Sequence, residues 1–186
     1  MPVWQKFHAS NQNRNVEVLS VAIDVQGRDK ITPYTTKAQT SFVTLIDQTN
    51  LLGELYGFKA IPNGFLIDEH GIMRYKKLGG FDIRNHDTNK LLENWITTPN
   101  PVETLNQTDQ ELGTKHEKSN ELFRNGVQKY KHGDLKGALK YWRKGTKIDP
   151  SNYIIRKQIW AIENPENFYE GDVNYSWQHE QIRKNR

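Results

Sequence analysis

The sequence predicts an α/β domain followed by a small all-α unit, and three features carry that expectation. Up to about residue 97, short runs rich in Val, Ile, Leu and Phe alternate with stretches of helical period, as in a sheet covered by helices. Residues 98–116 have the composition of a linker, with Pro99, Pro101 and many Asn, Gln and Thr, anchored only by Val102, Leu105 and Leu112. Past that stretch the apolar spacing settles to about 3.6 residues.

Taken in order, Val3, Trp4 and Phe7 share one face of a short helix that ends in the polar run 11–15. Residues 16–24 are nearly continuous in apolar and β-branched side chains, as in a parallel strand covered on both faces. This strand is expected on the side of the sheet that holds Phe65. Residues 25–33 read as a loop, 34–39 as a short helix and 42–47 as a second extended run. Asn50 is placed to cap a helix that buries Leu51, Leu52, Leu55 and Tyr56, with Gly57 as its stop. Phe65, Leu66 and Ile67 then form a strand, Asp68-Glu69-His70-Gly71 a reversal, and residues 72–78 an antiparallel return. Arg74, Lys76 and Lys77 suit that return to a sheet edge, where charge discourages pairing with other chains. Gly79-Gly80 breaks the strand, and Leu91, Leu92 and Trp95 mark a last helix.

Two local features bear on chemistry. Pro62 opens a strand, where its missing N–H removes only a terminal ladder bond; Ile61-Pro62 is a linkage in which cis is cheap, though trans is the ordinary state. Asp24, Asp47 and Asp68 each close an apolar run. Such residues are expected to bond their own turn backbone rather than to form an acid–base site.

Composition removes several functional classes. There is no cysteine, so disulfides, thiolate metal sites and cysteine nucleophiles are all excluded. The six histidines fall singly, without the paired spacing of a metal site, and no metal or cofactor is expected. Positive charge is modest, 11 Lys and Arg against 10 Asp and Glu before residue 98 and 15 against 12 after it. That balance predicts no nucleic-acid partner. No run approaches membrane-spanning length and residues 1–6 lack a signal pattern, so the chain as written is expected to be cytoplasmic.

The run Ile61-Pro62-x-x-Phe65-Leu66-Ile67-Asp68-x-x-Gly71, placed after the Val/Ile-rich strand ending in Asp24, resembles the second half of a thioredoxin-fold domain. The resemblance is to the redoxin or thiol-disulfide oxidoreductase family, of the TlpA/ResA-like and AhpC/TSA types. In that family the proline is cis and faces the redox pair, so the resemblance implies that Ile61 and Pro62 contact substrate. Pro2 to Phe7 looks like the part of the first helix that follows its kink. The first strand, the Cys-x-x-Cys turn and the start of that helix have no counterpart here. The resemblance therefore implies an N-terminally truncated domain over residues 1–97, with a thioredoxin-like sheet lacking its first strand. Members of that family are often anchored outside the cytoplasmic membrane by an N-terminal segment, which the resemblance implies for a longer parent.

Beyond the linker, Leu122, Phe123, Val127 and Tyr130 mark one helix, residues 131–134 a turn, and Leu135, Ala138, Leu139 and Trp142 a second helix. Counted from Ser119, the residues Leu122, Gly126, Gly133, Ala138, Trp142, Gly145 and Pro150 resemble a single tetratricopeptide repeat, whose period is about 34 residues. Lys129 departs from the pattern where an aromatic is expected, and Tyr130 follows it. Residues 151–162 read as a capping helix, which places this unit at 117–163. The aromatic tail, 164–186, is expected to dock on the chain's own surface.

Two functional classes follow. One is a redoxin-type thiol-disulfide oxidoreductase, present here only in its substrate-side part and inactive without its cysteines. The other is a non-catalytic module that holds a partner protein on a thioredoxin-like platform and a helical repeat. In the thioredoxin topology the absent strand lies between the strand at 16–24 and the strand at Phe65. Those neighbours must then close up or leave backbone groups unpaired, at about 1–3 kcal/mol each where buried.

Overall fold

A computed structural model describes residues 1–98 and 113–184. The chain divides into two compact units, Met1–Gly113 and Thr114–Arg186. Helix and sheet are mixed in the first, and the described residues of the second are helical apart from turns.

The first unit runs α1 (Pro2–Asn11), β1 (Ser20–Ile23), α2 (Arg28–Lys37), β2 (Thr44–Asp47), α3 (Leu51–Tyr56), β3 (Gly64–Ile67), β4 (Met73–Lys77) and α4 (His86–Thr97). Pro2 lies in the first turn of α1, where a missing N–H leaves no helical bond unmade. β1 and β2 are parallel, with Val21 opposite Leu45, and α2 makes the crossover between them. β3 and β4 form an antiparallel hairpin with Phe65 opposite Lys76 and an irregularity between Leu66 and Ile67. Among the described residues these are two separate two-stranded sheets, with no ladder from β1 to β3. The strand of residues 16–24 is thus paired with β2 and not with the Phe65 strand.

Helix α1 touches both halves of this unit. Trp4 and Phe7 pack on a core of Leu66, Phe81 and Leu92 that joins the hairpin to α4. On its other side the Gln5 amide donates to Ser41 Oγ (3.0 Å) and accepts from the Ser41 N–H (2.8 Å), while His8 meets Phe42 edge-on. α4 is capped as its sequence demands, the Asn85 carboxamide accepting from the N–H groups of Asp87 and Thr88.

Several local expectations are corrected. β1 covers only Ser20–Ile23, because its partner leaves the ladder at Val43, where Phe42 turns inward against His8. α2 begins at Arg28 and contains Pro33, where a loop was expected. The carbonyl that Pro33 leaves without its helical donor belongs to exposed Asp29, so water can serve it. Leu51 and Leu55 lie 52% and 66% exposed, not buried. α3 has only six residues and rests on Gly53, which sits against the Asn50 side chain so closely that a Cβ would lie 2.2 Å from Oδ1. Asn50 itself has φ +61° and makes no side-chain cap; Asp47 caps instead, accepting from Leu51 N (3.0 Å) and Leu52 N (2.9 Å).

The second unit runs α5 (Gly113–Lys131), α6 (Leu135–Ile148), α7 (Tyr153–Glu163), a 3-10 turn (Pro165–Asn167) and α8 (Tyr175–Lys184). α5 starts inside the stretch expected to be linker; the remainder of that stretch, residues 99–112, lies outside the described residues. The hairpin closes on Trp142, fully buried, whose indole N–H donates to the Phe123 carbonyl at 3.0 Å. Gly126 allows this approach, since a Cβ there would lie 2.2 Å from Trp142 Nε1. On α6, Gly145 lies against Ser119 of α5: a Cβ there would come 3.1 Å from the Ser119 carbonyl, and Ser119 Oγ donates to the Gly145 carbonyl (3.0 Å). Tyr130 fills the place beside Trp142, with ring centres 6.0 Å apart. The aromatic tail packs on its own unit: Trp177 meets Trp160 and Phe168 edge-on, and Gln178 beside it is buried.

Candidate functional site

The approach to β3 is built from backbone constraints. Ile61-Pro62 is cis, Ile61 is 45% exposed and Pro62 is exposed. Asn63 braces this corner, its amide donating to the Ala60 carbonyl and its Oδ1 accepting from the Gly79 N–H, both at 2.8 Å. One side chain thereby ties the entry of the hairpin to its exit. At the next residue the Phe81 ring lies on the backbone of Gly64, where a Cβ would come within 2.1 Å of it. Trp4 of α1 stacks on the same ring at 5.6 Å. Phe65, on the opposite face of β3, packs against Tyr56 at 4.6 Å. The corner is therefore rigidly backed, and it presents Ile61 and Pro62 outward beside a strand that, among the described residues, is laddered on one side only.

Each of the three strand-end aspartates is engaged by the turn that follows its strand. Asp24 Oδ1 accepts from Gln26 N at 2.8 Å, Asp47 caps α3, and Asp68 accepts from His70 N and Ile72 N and pairs with Arg74. Burial alone would raise the Asp68 carboxyl. The hydrogen bonds from Ile72, Arg74 and His70 outweigh it and hold the group below the usual carboxylate value. Each aspartate thus accepts from backbone N–H groups of its own turn, as expected of such residues at strand exits.

A second buried constellation lies in the helical unit, and the sequence reading missed it. His116 Nδ1 is 3.0 Å from Asp149 Oδ2 and His116 Nε2 is 2.9 Å from Asn120 Nδ2. Asn152 Nδ2 donates to Asn120 Oδ1, and Asn152 Oδ1 accepts from the Ile155 N–H. That backbone donor fixes the direction of the chain: Asn152 must offer its NH2 to Asn120, and Asn120 must offer its NH2 to His116. In that orientation His116 Nε2 accepts from Asn120 while Nδ1 faces the Asp149 carboxylate. The arrangement clasps α5 to the start of α7 and to the turn before it. Its signal was present as His116 and Asn120 at helical i, i+4 spacing.

Among the described residues no group of three or more His, Asp and Glu could hold a metal ion, and no helix is long and apolar enough to cross a membrane. His8 Nδ1 and Thr44 Oγ1 are buried without a hydrogen-bond partner. No family model, curated protein or solved structure matches the chain.

Proposed function

We propose that the first unit is a thioredoxin-like domain of the redoxin or thiol-disulfide oxidoreductase type, represented here by its substrate-side part. The single observation that carries the reading is the sheet arrangement. A parallel β1-α2-β2 unit and an antiparallel β3-β4 hairpin followed by α4 lie in one compact unit, with no ladder between β1 and β3. One further strand, from residues outside this sequence, would complete a continuous sheet. Ile61 and Pro62 are then the residues assigned to contact an extended substrate segment, through exposed apolar surface and open backbone. With no cysteine the chain performs no thiol–disulfide exchange by itself, because that step needs a thiolate to attack and a second thiol to resolve.

The second unit is proposed to be a single tetratricopeptide-like hairpin with its own cap, supported by the close approach of Gly126 to Trp142 and of Gly145 to Ser119. The absence of cysteine favours a second reading, in which both units only bind a partner protein.

The deciding experiment is the intact mass and N-terminal peptide of the native protein, read together with the coding frame upstream of Met1. Upstream residues that supply a strand and a Cys-x-x-Cys turn are the expected result. A native chain that starts at Met1 overturns the oxidoreductase reading and leaves the binding one.

A further inference from the structure

The second unit carries a charged surface that the proposed function leaves unused. Residues 114–186 hold 15 Lys and Arg against 9 Asp and Glu, and the excess is not evenly spread. α6 contains Lys136, Lys140, Arg143, Lys144 and Lys147 and no acidic residue at all. The spacing i, i+4, i+7, i+8, i+11 sets all five on one face, about 100° wide, of a helix with 3.6 residues per turn. The face opposite carries the buried residues Ala138, Trp142 and Gly145, so the basic row points to solvent, and all five members are exposed. Arg143 is paired with Glu163 of α7; the four lysines make no ion pair among the described residues. An even charge balance predicted no such surface, and helical periodicity gathers one.

The row is not a neutral way of staying soluble. Lys136 and Lys140, Lys140 and Lys144, and Arg143 and Lys147 are like charges at i, i+4, each pair weakening the helix that holds it. An ordinary solvated face interleaves both signs, as α8 does with Glu180 paired to Lys184.

We propose that α6 is a docking face for an acidic protein segment whose carboxylates repeat about one helical turn apart. The four free cations are lysines, compact point charges that suit single carboxylates. The one guanidinium, which would favour a phosphate fork, is already engaged by Glu163. The row is straight, about 16 Å long and one helix wide, which matches a peptide laid along it. Exposed charge pairs are individually weak, so the contact is salt-sensitive and steers a partner more than it grips it.

The test is an amide NMR titration of the full chain with a synthetic helical peptide bearing Glu at every fourth position, with duplex DNA and anionic lipid vesicles as parallel arms. Expected are shifts centred on α6 that fade as the screening length falls from ~10 Å at 0.1 M salt to ~3 Å at 1 M. Lys140→Glu with Lys144→Glu weakens peptide binding about tenfold, and the neutral Gln pair weakens it less. Shifts lying elsewhere, unchanged binding by both variants, or tighter binding of DNA or vesicles than of peptide each overturn the proposal. Both positions are exposed on the face away from the core, and the Gln pair serves if charge reversal unfolds the helix.

Discussion

Among the described residues the larger first unit buries seven apolar side chains and the smaller second unit eight; of the large apolar side chains left exposed, nine are in the first and two in the second. The difference follows from where each kind of element finds its hydrogen bonds. A helix satisfies its backbone internally and needs only a partner for one stripe, which α5, α6 and α7 give one another around Trp142 and Ile155. A parallel strand inside a sheet has neighbours on both edges and cover on both faces. Among the described residues β1 has one neighbour, and none of its four residues is fully buried, although the sequence around it is apolar enough for a sheet interior. Among the described residues the helical unit buries its apolar stripes more fully than the sheet unit covers its strands.

The largest expected effect tests that contrast directly. Amide hydrogen exchange of the full chain should show strong protection in α5–α7 and protection at least ~100-fold weaker in β1 and β2, since local opening follows the burial around each amide. Equal protection of both units, or one coincident thermal transition seen by probes in each, breaks the comparison. Trp142→Ala should remove about 3–5 kcal/mol from the helical unit, a large share of the 5–15 kcal/mol typical of a whole domain, measured by denaturant unfolding.

Two glycines under aromatic rings sharpen it further. A Cβ at Gly126 meets Trp142, whose ring is fully buried and held by its hydrogen bond to Phe123. One at Gly64 meets Phe81, whose stacked neighbour Trp4 is only partly buried and has room to shift. Gly126→Ala is expected to cost about 2–3 kcal/mol and Gly64→Ala about 1 kcal/mol, within the usual range for overpacking. The reverse order would mean that the sheet unit is the tighter of the two.

The buried clasp gives the next prediction. Asn120→Ala strands His116 Nε2 and the Asn152 NH2 group, at about 1–3 kcal/mol in all, and nitrogen NMR of the native unit should find His116 protonated at Nδ1 alone. A spectrum with the proton on Nε2 would reverse the direction of the whole chain.

How far the sequence could be read also differs between the units. Trp142, Gly126 and Gly145 were legible because helical period and small-residue spacing are local signals. The Asp68 turn was legible for the same reason. The length of β1 was not, since it depends on where β2 turns away at Phe42, a decision made 20 residues on. Leu51 and Leu55 were misplaced because six residues are too few for a period to reveal the buried side. At the candidate site, Ile61 and Pro62 were singled out by the proline at a strand start and by resemblance. Asn63, which braces them, gave no such sign, because its two bonds reach Ala60 and Gly79.

The smallest effect concerns charge at the surface of the sheet unit. Hydrogen bonds from the Arg84 side chain and backbone, with its positive charge beside them, hold the Asp82 carboxyl at about 2. The folded value lies below the unfolded one, so the pairing stabilises the unit at neutral pH and loses that contribution as pH falls from about 4 through about 2. With Asp82 a third exposed and Arg84 mostly so, solvent screening limits the contribution to about 0.2–1 kcal/mol. Arg84→Ala should return Asp82 toward its ordinary value of 3.8 in a carboxyl-detected NMR titration while leaving the melting of the helical unit unchanged. A carboxyl that stays near 2 without Arg84 would show that backbone donors alone set it. A shift in the helical unit's melting would show that the two units unfold together.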